Sequence, residues 1–293
     1  MKKIFLVLVT LCFLISCDLD TRADIVIDGS STVAPITNAV VEEFALKNKN
    51  IDIAVGTSGT GGGFKKFVTG EIDIVNASRH IKKEEIEKAK KNGIEYVEIQ
   101  IGIDGITVVV NKENNWLTEI TDKELEMLWK KDSKIKKWSD LNPKYPKTDI
   151  KLYSPDQDSG TYEYFVEEIL GKGNKPRIDY SPASDDNQLV LGVEGDKGSL
   201  GYFGYAYYLA QKDKLKGVKI NGVEPTDENI REGKYKPLSR PLYIYVNKKS
   251  LKENKVVKSF VLFYLDNATQ LVREEGYIPL KDYEKQKKLI NEQ

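Results

Sequence analysis

The stretch DIVIDGSSTVAPITNAVVEEF, residues 24–44, decides the fold. It opens with a short apolar run, Ile25-Val26-Ile27, that stops at Gly29, the pattern of a strand closed by a glycine turn. Ser30-Ser31-Thr32 follow, residue types that favour helix N-termini. Val33, Ile36, Val40 and Phe44 then recur at helical spacing.

The same unit comes twice more. Ile51, Ile53 and Val55 alternate into Gly56-Thr57-Ser58-Gly59-Thr60-Gly61-Gly62-Gly63, after which residues 64–68 begin a helix. Residues 72–75 run into Asn76-Ala77-Ser78-Arg79, and a charged helix over residues 82–91 is stopped by Gly93. Three strand–turn–helix units predict a parallel sheet with right-handed crossovers, whose ligands bind beyond the carboxyl ends of the strands. Three hydroxyl- or glycine-rich turns therefore converge on one site.

Two later apolar runs, residues 105–111 and 241–247, read as crossover strands between two lobes. Between them lie a capping-box helix at Thr121, with Glu124 three residues on and Leu125, Leu128 and Trp129 inward, and a strand over residues 150–153. That strand leads into Asp158-Ser159-Gly160-Thr161 and a helix that ends at Gly171. A helix over residues 256–273 and a charged tail complete the first lobe. The expected division is 24–108 with 246–293 for the first lobe and 109–245 for the second, after a signal peptide (1–16) and a tether (17–23).

The N-terminus carries Lys2 and Lys3, an apolar run from Ile4 to Ile15, and Ser16-Cys17, the layout of a secretory signal too short to span a bilayer comfortably. Leu14-Ile15-Ser16-Cys17 resembles the bacterial lipobox, which makes Cys17 the lipidated first residue of an exported protein anchored to the membrane on its periplasmic or outer face. Without residues 1–16, 43 basic residues face 45 acidic ones, so nothing favours nucleic-acid binding. The only cysteines are Cys12 and Cys17 and the only histidine is His80, which argues against disulfides, thiolate or histidine metal sites and most histidine-dependent catalysis. No cofactor is expected.

What the turns can do follows from helix electrostatics. The first N–H groups of a helix lack intrahelical acceptors, and the summed peptide dipoles leave about half a positive charge there. Ser31-Thr32, Thr57-Ser58 and Ser159-Gly160-Thr161 each put small hydroxyls at such a turn, and the glycines from Gly59 to Gly63 let backbone amides approach closely. The chemistry points to a tetrahedral oxyanion. A serine hydrolase is disfavoured because Gly56-Thr57-Ser58-Gly59-Thr60 lacks the final glycine of a nucleophile elbow. The loop also has no Gly-Lys-Ser/Thr, and Phe64 fills the last position of a dinucleotide fingerprint. The aromatic cluster Tyr202, Phe203, Tyr205, Tyr207 and Tyr208 is expected to be core rather than a docking patch.

Asp28-Gly29-Ser30-Ser31-Thr32-Val33-Ala34-Pro35, Gly56-Thr57-Ser58-Gly59-Thr60-Gly61, Asp73-Ile74-Val75-Asn76-Ala77-Ser78-Arg79 and Asp158-Ser159-Gly160-Thr161 stand in the order and spacing of the periplasmic phosphate-binding proteins of Pst-type ABC transporters. Residues 200–207 and Leu238-Ser239-Arg240-Pro241-Leu242 resemble that family too, and the likeness covers residues 24–275. It implies an α/β, two-lobed type II periplasmic-binding-protein fold with two crossover strands, closing on inorganic phosphate and delivering it to a permease driven by a cytoplasmic ATPase. It further implies that Ser31, Thr32, Thr57 and Ser58 bind from the first lobe and Ser159, Gly160 and Thr161 from the second. Two positions depart from the best-known members. Arg79 replaces an Asp, and Pro155 replaces an Arg, so the resemblance to the Ala-Ser-Arg subgroup has Arg79 forking onto the anion from the first lobe. A carboxylate that accepts the proton of hydrogen phosphate would reject sulfate, and Asp156, Asp158, Asp185 and Asp186 are the candidates. Another tetrahedral oxyanion, or a lipidated surface protein that keeps this fold, are the alternatives.

Overall fold

The computed structural model describes residues 23–157 and 159–293. The signal peptide, Cys17, the rest of the tether up to residue 22, and Asp158 lie outside the described residues.

The chain opens with β1 (Ile25–Gly29), α1 (Ala34–Lys47), β2 (Ile53–Val55), α2 (Gly59–Phe67), β3 (Ile74–Ala77), α3 (Lys83–Lys91) and the long β4 (Tyr96–Asn111). Its middle holds β5 (Glu119–Ile120), α4 (Asp122–Trp129), α5 (Trp138–Leu141), β6 (Lys151–Pro155), α6 (Gly160–Leu170), β7 (Ser181–Ala183), α7 (Asp186–Glu194) and β8 (Ser199–Gly204). There follow α8 (Tyr205–Ala210), β9 (Leu215–Gly217), β10 (Lys219–Ile220) and α9 (Asp227–Arg231). It closes with β11 (Ser239–Asn247), α10 (Lys248–Glu253), α11 (Lys255–Glu274) and α12 (Glu284–Asn291).

The expected parallel pairing is present: β1 pairs in parallel with both β2 and β3, and β6 with both β7 and β8. One sheet runs β2-β1-β3-β11-β4-β8-β6-β7, with β9 on β4. Its two parallel ends are joined by β4 and β11, antiparallel partners from Asn247↔Tyr96 to Ser239↔Gly105. The apolar runs read as crossovers are these two strands, and β4 begins well before the expected Gly105.

Two hydrophobic cores flank the crossovers. One is built around Ile25, Val40, Ile99, Ile244 and Phe260 and the other around Ile106, Leu128, Phe165, Tyr202 and Leu238, each with a smaller separate cluster beside it, Phe64 with Phe67 and Tyr245 on the first side and Val109 with Leu189 and Phe203 on the second. They part beside Gly102 on β4 and between Leu238 and Leu242 on β11. A third segment also crosses. After α11 the chain forms a bridge from Ile278 to Ile103, with N–H···O distances of 2.9 and 3.0 Å, and Leu280 touches both cores. The charged tail is not loose: α12 buries Ile290 against the first core.

Local rules account for most elements. Thr121 and Glu124 exchange hydrogen bonds of 3.1 and 2.8 Å as a capping box, and Leu125, Leu128 and Trp129 are buried. Gly171 ends α6 at φ 86°. In the aromatic cluster Tyr202, Phe203 and Tyr205 are core, while Tyr207 is exposed.

α2 differs from expectation. It starts at Gly59, five residues before Phe64, although glycine is a poor helix former. The reason is packing: a Cβ at Gly63 would stand 2.6 Å from Gly29 Cα and 2.7 Å from Val75 Cγ2. The glycines of that run let a helix lie directly on β1 and β3, and the cost of helical glycine is offset by the burial of Phe64 and Phe67.

Candidate functional site

The turns after β1, β2 and β3 are tied together by hydrogen bonds. Asp28 accepts from Gly29 N at 2.7 Å and from Ser58 N at 2.8 Å, and it pairs with Lys66. Burial pushes the Asp28 carboxyl up, but the bonds from Lys66, Ser58 and Gly29 outweigh this and hold it below its ordinary value. Ser30 N donates to Asn76 O at 2.9 Å, and Thr60 Oγ1 accepts from Ser78 N at 3.2 Å. Gly29 is obligatory, since a Cβ there would sit 2.2 Å from Asn76 O and its φ is 139°.

The hydroxyls of the first turn do not cap α1, whose N-cap is Val33 with no side-chain acceptor. That of Ser31 reaches across to α6 instead. Ser31 Oγ donates to Glu163 at 2.9 Å, and Gly160 lies close enough that a Cβ on it would be 3.4 Å from Thr32 Cα. Ser159 caps α6 by accepting from Thr161 N at 3.2 Å, which leaves its own proton to donate. Ser31, Thr32, Ser159, Gly160 and Thr161 are thus brought together. Thr57 and Ser58 stand exposed at the mouth of the second turn, with Ser58 fixed by Asp28.

Arg79 is near but otherwise engaged. Its two terminal nitrogens bond both oxygens of Glu85, at 2.9 and 2.8 Å, and Glu85 also caps Lys82 N. The fork expected for the ligand closes on a carboxylate of α3, and the ring of Phe64 lies 5.2 Å from the guanidinium.

A cleft of about 360 Å³ opens beside α6, lined by Ser159, Thr161, Asp104, Asp185, Asp186 and Glu275 among others. Asp185 caps α7 through Asn187 N. Asp186 is pushed up to about 6 by burial and then by the charge of Asp185. Glu275 is raised by burial and by Glu42 and Glu274. Asp156, at the end of β6, does not line this cleft.

Two charged residues beside these turns escaped the sequence reading. Asp104 on β4 and Arg240 on β11 are register partners, with Nε and Nη2 of Arg240 each 3.2 Å from Asp104 Oδ2. Arg240 Nη2 also donates to Thr32 Oγ1 at 2.9 Å, and its guanidinium lies 3.5 Å from the centre of the Tyr164 ring. Asp104 is only 2% exposed; burial raises its carboxyl and Arg240 draws it back in part. The signal was a charge at the edge of each apolar strand run, Asp104 just before residues 105–111 and Arg240 just before residues 241–247, inside a quoted motif for Arg240. Among the described residues no cluster of three or more His, Cys, Asp or Glu is disposed to hold a metal.

A sheet with two cores, joined by crossover strands and holding a cleft at its strand ends, defines a solute-binding protein of the periplasmic-binding type. Residues 18–268 match the model of the PBP superfamily domain, and the chain belongs to that family. It is 48% identical over 266 residues to Protein SphX of Synechococcus elongatus, covering 88% of this chain and 78% of that protein. It is 44% identical over 272 residues to the Phosphate-binding protein PstS of Staphylococcus saprophyticus, covering 90% and 83%. The crystal structure of a possible phosphate binding protein from Planctomyces limnophilus superposes with a TM-score of 0.86 at 46% identity, covering 92% of this chain and 96% of that one.

Proposed function

We propose that this protein captures inorganic phosphate between two lobes and hands it to the permease of an ABC importer. One observation carries the reading: the Ser31-Thr32 turn of the first core and the N-terminus of α6 in the second meet at contact distance, beside a cleft open to solvent. Donors from both sides can surround a tetrahedral anion there, and its charge satisfies the helix dipole of α6. Relatives at 44–48% identity, one named for phosphate, support the same ligand.

In this reading Ser31, Thr32, Thr57, Ser58, Ser159, Gly160 and Thr161 bind the ligand, and Arg79 reaches it only by exchanging Glu85 for it. The lobes are residues 24–108 with 246–293 and residues 109–245; the separate cores support two lobes, with the passage between them nearer Gly102 and Arg240. The four carboxylates of the cleft favour an anion that carries a proton over sulfate, which has none to give. Export under a signal peptide, lipid anchoring at Cys17, and partnership with a permease and its ATPase complete the proposal. No helix among the described residues is long and apolar enough to cross a membrane.

Calorimetric titration of the mature protein with phosphate, arsenate, sulfate and molybdate from pH 5 to 9 tests this. Saturable binding of phosphate and arsenate with weaker sulfate binding is expected; no heat with any of them rejects the reading.

A further inference from the structure

Thr32 is 3% exposed, and its hydroxyl accepts a hydrogen bond from Arg240, a side chain that can only donate. Its own proton must therefore go elsewhere, and none of the described residues accepts it. Arg240 is in turn held on two further sides. Asp104 takes Nε and Nη2, the Tyr164 ring stacks beneath the guanidinium, and the Tyr164 hydroxyl is pinned to Pro237 O at 2.7 Å. Arg240 Nη1 has no hydrogen bond among the described residues.

We propose that Arg240, fixed by Asp104, is the positioning residue of the anion site: it turns Thr32 into a donor aimed at the ligand and sets a positive charge behind that hydroxyl. A hydroxyl that accepts from a cation donates more strongly, because the two bonds polarise each other. Asp104 makes the arrangement affordable, since an unpaired guanidinium only 15% exposed would be costly. The carboxylates that also face this region are Asp186 and Glu275 across the cleft and Glu168 on α6. They bias the site against extra negative charge, so the single fixed cation matters.

The placement also links binding to the crossovers. Thr32 belongs to the first core's turn, Tyr164 to α6 of the second, and Arg240 and Asp104 to the two strands that join them. One guanidinium therefore touches all three parts that must come to rest together when the ligand is held.

The inference rests on the phosphate reading, and a double-mutant cycle separates the two. Phosphate affinity is measured by calorimetry at pH 8 for the wild type, Arg240→Lys, Thr32→Val and the double variant, with melting temperatures taken without phosphate. Lysine keeps the charge and stem beside Asp104, so the fold is retained, but it cannot serve Asp104 and Thr32 together. Each single variant is expected to weaken binding at least tenfold, and the double variant no more than threefold beyond the weaker single. Independent, multiplying losses, or Arg240→Lys binding within threefold of wild type, overturn the role of Arg240. Wild type that binds no phosphate overturns the functional reading itself. Asp104→Asn supplies a second check with the opposite sign: it removes the charge that neutralises Arg240, so sulfate affinity is expected to rise at least fivefold, and an unchanged or lower value counts against the proposal.

Discussion

Two arginines stand by the ligand loops, each facing a carboxylate, and their settings differ. Arg79 and Glu85 are six residues apart, and Arg79 is 31% exposed. Arg240 and Asp104 are 136 residues apart, meet on neighbouring crossover strands, and are nearly dry. Solvent screens the first pair and leaves it worth little, whereas the second cannot lose one member without stranding the other. The arginine that looks most like a ligand in the sequence holds a helix start, and the one that touches the Thr32 hydroxyl comes from a crossover strand.

The largest expected effect follows from that contrast. Arg240→Ala should lower the unfolding free energy at pH 8 by about 3 kcal/mol in urea, because Asp104 is left buried and unpaired. Asp104 already has its carboxyl raised, and without Arg240 it rises further. A carboxyl raised in the folded state favours folding at low pH and loses that advantage as pH climbs through its folded value. The defect should therefore shrink on going from pH 8 to pH 5, and a pH-independent loss would assign it to lost packing instead.

Asp28→Ala comes next, at about 2 kcal/mol, because Gly29 N, Ser58 N and Lys66 lose a charged acceptor. Asp28 is held below its ordinary value, so this contribution exists above that value and fades in acid. The stability gap to wild type should narrow as the pH is taken down through and below the ordinary carboxylate range; a gap that persists in strong acid would point to a steric cause.

Asp186 has the opposite sign, since burial and Asp185 raise it to about 6. Asp186→Asn should raise the melting temperature by a few degrees at pH 7.5 and hardly at all at pH 4, where wild-type Asp186 is already neutral. Arg79→Ala is the smallest case, costing less than about 1 kcal/mol as a partly exposed pair. A loss as large as that of Arg240→Ala would erase the distinction between the two arginines.

How much of this the sequence carries depends on range. β1, the core face of α1 with Ile36, Val40 and Phe44, and the Thr121 capping box are written in neighbours a few residues apart, and all were legible. So were the crossover runs, whose unbroken apolar character follows from burial on both faces. The start of α2 was not, because what makes helical glycine acceptable at Gly63 is Gly29 and Val75 beneath it. The hydroxyl-rich turns could be read as such, but not where their hydroxyls go: Ser31 to Glu163 and Thr32 to Arg240 are contacts between distant segments. Asp104 and Arg240 announce themselves only as charges at the edges of apolar runs, and nothing local says that they are register partners.

The central claim concerns a place: an anion between the Ser31-Thr32 turn and the start of α6. A crystal grown with arsenate, whose anomalous scattering marks its position, tests it directly. The account predicts one strong peak whose arsenate oxygens lie about 3 Å from the Thr32 hydroxyl and from donors of Ser159 to Thr161. A peak confined to the lysine-lined recess at Lys219, Lys234 and Lys236, or no peak at saturating arsenate, would contradict it.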